Sequence, residues 1–292
     1  MRPRRLFGAL SLMLVLLGTS VATVVGAPPA GAATFPLEST YASPGSWAVS
    51  TGSVTDTAGN AFSLYYPTNL GANGFHHPIV SWGNGTNAVP SQYSGLLNQL
   101  ASWGFVVIAS NSTATGYGTE ITAGANYMVG ANTNPSSMFY GKLNTTKIAA
   151  VGHSQGAGGS TRAVIANPNL FTTLVPIALP AKIWVSAGQE YNTANLTRPT
   201  FFVGGQNDWL IASPSTLTGY YNAVPGPAAL GVLKGAGHNT IQGTGGGFLG
   251  YITAWLMYQL QGDTTARSVF AGGSPELLSN TNWQNQAVKN LP

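Results

Sequence analysis

The sequence predicts an α/β fold, a mostly parallel central sheet flanked by helices, on three observations. Short apolar runs bounded by turn residues recur along the chain and read as strands buried on both faces, as in a parallel sheet. Stretches with helical spacing lie between them, an alternation that calls for right-handed crossovers. The composition supplies a core: of 292 residues, 44% are hydrophobic, 10% aromatic and only 6% charged, against about 25% charged in an ordinary soluble domain. This excludes a charge-rich disordered segment and a coiled coil, which needs abundant Glu and Lys. The 38 glycines and 18 prolines have no collagen-like period and suit a globular chain with many tight turns.

Arg2, Arg4 and Arg5 precede an apolar run from Leu6 to Leu17, and Ala30-Gly31-Ala32 offers an Ala-x-Ala cleavage pattern. That is the charged start, apolar middle and small-residue exit of a secretory signal peptide, so residues 1–33 are read as signal and 34–292 as one domain. The run is short for a membrane span of ~20 residues, so no stable anchor is expected after cleavage. A secreted, extracellular protein follows, and a monomer is expected. Three of the eleven Lys+Arg leave with the signal, and the remaining eight against seven Asp+Glu give a net charge of +1. No basic patch argues for nucleic acid. The chain has no cysteine, so a core of ordinary size must hold it.

Trp47–Thr55 and Ala61–Tyr66 are β-rich and read as an opening hairpin. Pro78–Trp82, Phe105–Ala109 and Lys147–Val151 are the buried strands that follow. Ser91–Trp103 places Tyr93, Leu96, Leu97 and Leu100 at helical spacing and stops at Gly104, and Thr119–Gly130 is a second helix despite internal glycines. Further strands are expected at Thr173–Ala178, Thr200–Val203 and Leu230–Leu233, with a late amphipathic helix over Phe248–Leu260. In open sheets of this kind functional residues gather at the carboxyl ends of the strands.

One pentapeptide stands there. Gly152-His153-Ser154-Gln155-Gly156 fits Gly-x-Ser-x-Gly, a pattern of little weight by itself in a chain this rich in glycine. Its context is specific: it follows the strand Lys147–Val151 and opens a helical stretch, Gln155–Ala166, as a nucleophile elbow requires. A serine hydroxyl needs an imidazole base, itself oriented by a carboxylate. Of the four histidines, His153 should point away from the serine into packing, while His76 and His77 precede it at a strand start. His238, just beyond the strand Leu230–Leu233, remains as the base. Asp208 follows the strand Thr200–Val203, whereas Glu190 and Asp263 occupy no comparable position and Asp56 and Glu120 precede the serine. Ser154, Asp208 and His238 thus stand in the chain order of an α/β-hydrolase triad.

An oxyanion hole needs two backbone N–H groups. Gln155 is expected to supply one and Asn84 the other, with Gly85 and Thr86 as alternatives in the same loop. Trp184 and Trp209 are the candidate substrate-binding aromatics; Trp82 and Tyr117 are further candidates for an apolar acyl or aryl pocket. Gly243-Thr-Gly-Gly-Gly247 lacks the Lys-Ser/Thr of a phosphate loop, and no His or carboxylate cluster has metal-ligand spacing. Neither a metal nor an organic cofactor is expected.

At these residues the chain resembles the secreted bacterial cutinase and polyester hydrolase group. Tyr65-Tyr-Pro-Thr68, Leu100-Ala-Ser-Trp-Gly-Phe-Val-Val-Ile108, Tyr140-Gly-Lys142, Val151-Gly-His-Ser-Gln-Gly-Ala-Gly-Gly159, Asn207-Asp208 and Gly237-His238 look like that group's landmarks. The resemblance runs from about Tyr65 to Leu260 and implies an α/β-hydrolase fold without a large lid, with Ser154, Asp208 and His238 as an esterase triad. Departures accompany it. The group's usual Met after the serine is Gln155 here, and its Pro-Gly-aromatic loop reads Trp82-Gly-Asn-Gly. Its carboxyl-terminal disulfide is missing, and its substrate-holding Trp has no counterpart in Ile177-Ala-Leu-Pro180. The resemblance implies hydrolysis of small or polymeric esters. A lipase, a carbohydrate acetyl or feruloyl esterase, a small-ester hydrolase and a non-catalytic binding protein on a hydrolase scaffold are the alternatives.

Overall fold

The computed structural model describes residues 34–292, so the expected signal segment lies outside the described residues. Among the described residues nine strands form one sheet: β1 (Val49–Thr55), β2 (Ala61–Pro67), β3 (His77–Gly83), β4 (Val106–Ser110), β5 (Leu143–His153), β6 (Thr173–Ile177), β7 (Thr200–Gly205), β8 (Ala228–Leu233) and β9 (Trp283–Lys289). Their spatial order is β1-β2-β4-β3-β5-β6-β7-β8-β9. β4, β3 and β5 through β8 run parallel, while β1, β2 and β9 are antiparallel additions at the two edges.

The strand period of two sorts the core onto both faces of this sheet. Val80, Trp82, Val107 and Ala109 point to one side, with Leu96, Leu97, Leu100 and Trp255 packed over them. Ile79, Val106 and Ile108 point to the other, under Ile121, Met128, Val164 and Leu217. The covering helices are α1 (Pro36–Ala42), α2 (Ser94–Ser102), α3 (Thr119–Thr133), α4 (Gln155–Ala166), α5 (Pro214–Ala223), α6 (Leu249–Leu256), α7 (Thr264–Arg267) and α8 (Glu276–Ser279). This layered, mostly parallel arrangement is an α/β-hydrolase fold.

The expected strands are all present, and α4 occupies its expected span. The late helix is shorter than its amphipathic run: the α-helix ends at Leu256, a wider π turn covers Met257–Gln261, and Gly262 stops it at φ 71°. Five elements, α1, α5, α7, α8 and β9, lay outside the apolar pattern. Helix α1 and helix α5 each start on a proline, and α5 is capped by the Ser213 hydroxyl accepting the Thr216 N–H. Strand β9 is polar because it lies at an edge and pairs with β8 alone.

Candidate active site

Three loops at the carboxyl ends of β5, β7 and β8 converge on one point. Between β5 and α4 the chain reverses in a single residue, Ser154, held at φ 54° and ψ −121°. A side chain at this positive φ is strained, and such strain persists only where the surroundings enforce it. Here the surroundings are backbone. The Ser154 N–H donates to the Ile177 carbonyl at 2.9 Å. A Cβ on Gly152 would run into the Gly156 carbonyl, and one on Gly156 into the Gly83 carbonyl. Both glycines are therefore required by close approach of strand, elbow and helix.

His238 Nε2 lies 2.8 Å from Ser154 Oγ, and His238 Nδ1 lies 2.5 Å from Asp208 Oδ2. The carboxylate side chain is 2% exposed and the imidazole 16%, so the pair is shielded while the ring edge stays open to the serine. Asp208 Oδ1 accepts the N–H groups of Ile211 at 3.2 Å and Ala212 at 3.1 Å. Burial pushes the Asp208 carboxyl up, but the His238 hydrogen bond and charge, with the two backbone donors, outweigh it and hold the group below its ordinary value. The carboxylate therefore stays ionised and fixes the proton on Nδ1. That leaves Nε2 with a lone pair facing the serine hydroxyl, the arrangement in which an imidazole can take a proton from it.

A cavity of about 280 Å³ opens beside the serine, lined by Thr86, Ser154, Gln155, Trp184, Gln189 and Ile211 among others. A larger open groove of about 760 Å³ runs along the outer face of α4 and contains none of Ser154, Asp208 and His238. Gln155 is the first residue of α4, where a backbone N–H has no acceptor within the helix. Its side chain lines the cavity, and its Oε1 is buried without a hydrogen-bond partner.

The structure does not bring Asn84 to this cavity. Asn84 is fully buried: its Oδ1 accepts the Trp82 indole N–H at 2.9 Å, and its Nδ2 donates to the Ser110 and Ser112 carbonyls. Gly85 N–H is engaged by the Tyr93 hydroxyl at 3.1 Å. Thr86, two residues beyond Asn84, is the member of the loop that lines the cavity. Trp184 lines it too, with its indole N–H donating to the Leu210 carbonyl at 2.7 Å. Trp209 does not; it is 76% exposed and its indole N–H turns back to the Gln206 carbonyl. His153 points away from the serine into the protein, fully buried. Gln189 and Ile211 carried no signal in the sequence, since nothing local marks a loop residue that meets the elbow only in three dimensions.

The profile of the family described as PET hydrolase-like matches residues 28–288. Cutinase est2 of Thermobifida alba is 28% identical over 69% of this chain, and the match spans 65% of that protein, just under two thirds of its length. Cutinase 1 of Thermobifida cellulosilytica is 26% identical over 76% of this chain and 83% of its own. A bis(hydroxyethyl) terephthalate hydrolase of Streptomyces coelicolor is 25% identical over 75% of this chain and 69% of its own. With the elbow, the sheet order and a family match over most of its length, this chain belongs to the PET hydrolase-like family of α/β-hydrolases.

Proposed function

We propose that this protein is a secreted, cutinase-like serine hydrolase of carboxylic esters with short acyl groups. The observation that carries the reading is the hydrogen-bonded series Ser154–His238–Asp208 on a strained strand-to-helix elbow beside a cavity. Ser154 Oγ attacks the ester carbonyl while its proton passes to His238 Nε2, and the carbonyl electron pair moves onto oxygen. The N–H groups of Gln155 and Thr86 hold that oxyanion. Thr86 replaces Asn84 in the role because its loop position faces the cavity. As the tetrahedral species collapses, the bond to the alcohol oxygen breaks and His238 returns the proton to it. Water then attacks the acyl-enzyme by the same route, releasing the acid and restoring Ser154. Secretion rests on the signal pattern of residues 1–33.

Two features of the cavity support the substrate class. Ile183, Trp184, Trp209 and Leu210 are 84%, 48%, 76% and 68% exposed, on two loops joined by the Trp184–Leu210 hydrogen bond. Trp184 lines the cavity and Leu210 adjoins the lining residue Ile211, and the exposed apolar group they belong to suits a polymeric or otherwise apolar ester surface. Inside, Gln155 and Gln189 place two amide side chains in a lining that otherwise includes Pro180, Trp184, Val185 and Ile211. The Gln155 Oε1 is already buried, so an apolar acyl group pressed on this side chain would strip water from its Nε2 instead, bearing part of the ~1–3 kcal/mol cost of an unpaired buried polar group.

Matched butyrate, octanoate and benzoate esters of one alcohol test this. The wild type is expected to prefer butyrate in kcat/KM, and Gln155→Met to raise the octanoate and benzoate rates relative to butyrate while acetate-ester kcat stays nearly unchanged, because the backbone N–H is retained. A relative fall on the longer and aromatic esters contradicts the role assigned to the Gln155 side chain. No hydrolysis of any ester by the folded protein contradicts the hydrolase reading itself.

A further inference from the structure

Behind the elbow lies a buried polar series that the reaction steps above do not use. His153 is 1% exposed, and burial together with the neighbouring His238 pushes its pKa down to about 3, so the ring is neutral. Its Nε2 lies 2.8 Å from the His238 backbone carbonyl, which can only accept, so Nε2 carries the ring proton. Nδ1 must then hold a lone pair, and the Tyr93 hydroxyl 3.0 Å away donates to it. The same hydroxyl oxygen accepts the Gly85 N–H at 3.1 Å. Every hydrogen bond in the series has one permitted direction: Gly85 to Tyr93, Tyr93 to His153, His153 to His238.

The ends of the series matter. Gly85 immediately precedes Thr86 in the loop after β3, and His238 carries the imidazole that faces Ser154. The middle passes under the elbow, since His153 is the residue before Ser154. The rings are packed as well as bonded: Trp82 to Tyr93 at 4.8 Å, Tyr93 to His153 at 5.6 Å and His153 to His238 at 4.8 Å between centroids. Purely apolar side chains would fill the same space, so the polar atoms need another explanation. They do what packing cannot, setting the height of one loop against the other with directional bonds in a water-excluded site.

We infer that Tyr93 and His153 are positioning residues, which lock the loop carrying the Thr86 oxyanion donor and the loop carrying the His238 base into one register around Ser154. The inference rests on the serine-hydrolase reading for its kinetic consequence, but its hydrogen-bond pattern is measurable without turnover. Neither residue touches substrate. Each acts through another group, so losing it moves reacting partners by a fraction of an ångström rather than removing one, and a misplacement of about 1 Å costs on the order of 100-fold.

The experiment has a spectroscopic and a kinetic arm. In the ¹⁵N spectrum of the wild-type protein at neutral pH, His153 is expected as the neutral Nε2–H tautomer. A Nδ1–H tautomer or a charged ring overturns the inference whatever the enzyme hydrolyses. In the kinetic arm, Tyr93→Phe keeps the buried ring and deletes one oxygen, and His153→Phe keeps a ring and deletes both bonds. Each is expected to lower kcat on p-nitrophenyl acetate roughly 10- to 100-fold with KM within about twofold. Active-site titration with a phosphonate should still reach one equivalent in Tyr93→Phe, separating misplaced groups from an unfolded fraction. Because both residues serve one series, the double variant should lose no more than His153→Phe alone. Unchanged kcat in Tyr93→Phe, or losses that multiply in the double variant, overturns the inference. Failure of the wild type to titrate would instead count against the hydrolase reading and leave the tautomer result standing.

Discussion

Ser154→Ala is expected to lower kcat on a short p-nitrophenyl ester by ~10⁴-fold or more while the protein stays folded. The size of the effect follows from the position. Ser154 Oγ, the proposed nucleophile, faces His238 Nε2 at 2.8 Å, and among the described residues no second hydroxyl shares that contact. Alanine inherits the same φ of 54°, so the strain of the elbow is neither relieved nor increased. The fold around it is held by backbone contacts among Gly83, Gly152 and Gly156 that the substitution leaves alone. A thermal midpoint within a few degrees of wild type should therefore accompany the loss. A folded Ser154→Ala protein that retains substantial turnover would remove this residue from the mechanism.

Asp208→Asn is expected to cost on the order of 10⁴-fold in kcat, because an amide can stabilise the wrong imidazole tautomer and cannot balance the imidazolium charge. The same variant should change the response to acid. The Asp208 carboxyl is held below its ordinary value in the folded protein, so its contribution to stability is complete above the ordinary carboxylate range and disappears as pH falls through the lowered folded value. Between neutral pH and pH ~3 the wild type should thus lose more thermal stability than Asp208→Asn. Parallel melting curves over that range would mean that the His238 and backbone hydrogen bonds do not favour the ionised carboxylate. Wild-type turnover by the variant would mean that His238 is oriented by something else.

The main triad candidates were legible because each carries a local signature at a strand end. Ser154 sits between an apolar strand and a helix, Asp208 directly after β7, and His238 just beyond β8. Four histidines and few acids made the choice short. For the second donor of the proposed oxyanion hole, only the loop was legible. Which peptide of that loop faces the cavity depends on Asn84 being drawn inward by Trp82, Ser110 and Ser112, contacts with no trace in local sequence. The two tryptophans show the same boundary. Trp184 and Trp209 look alike as exposed aromatics near functional loops, yet the loop of Trp184 folds over the cavity and the indole of Trp209 turns back on its own loop. Strand β9 was silent for another reason: Trp283-Gln-Asn-Gln-Ala-Val-Lys289 needs only a few apolar side chains because it covers one edge. Periodicity thus located the strand ends, and long-range contacts decided which groups turn inward there.

Phosphonylation of the wild-type protein by a fluorophosphonate, read by intact mass and peptide mapping during ester hydrolysis, tests the central assignment most directly. The account predicts one phosphonyl group per chain, carried by Ser154, with activity falling in step with labelling. Label on another residue, or full labelling of Ser154 with activity retained, would contradict it.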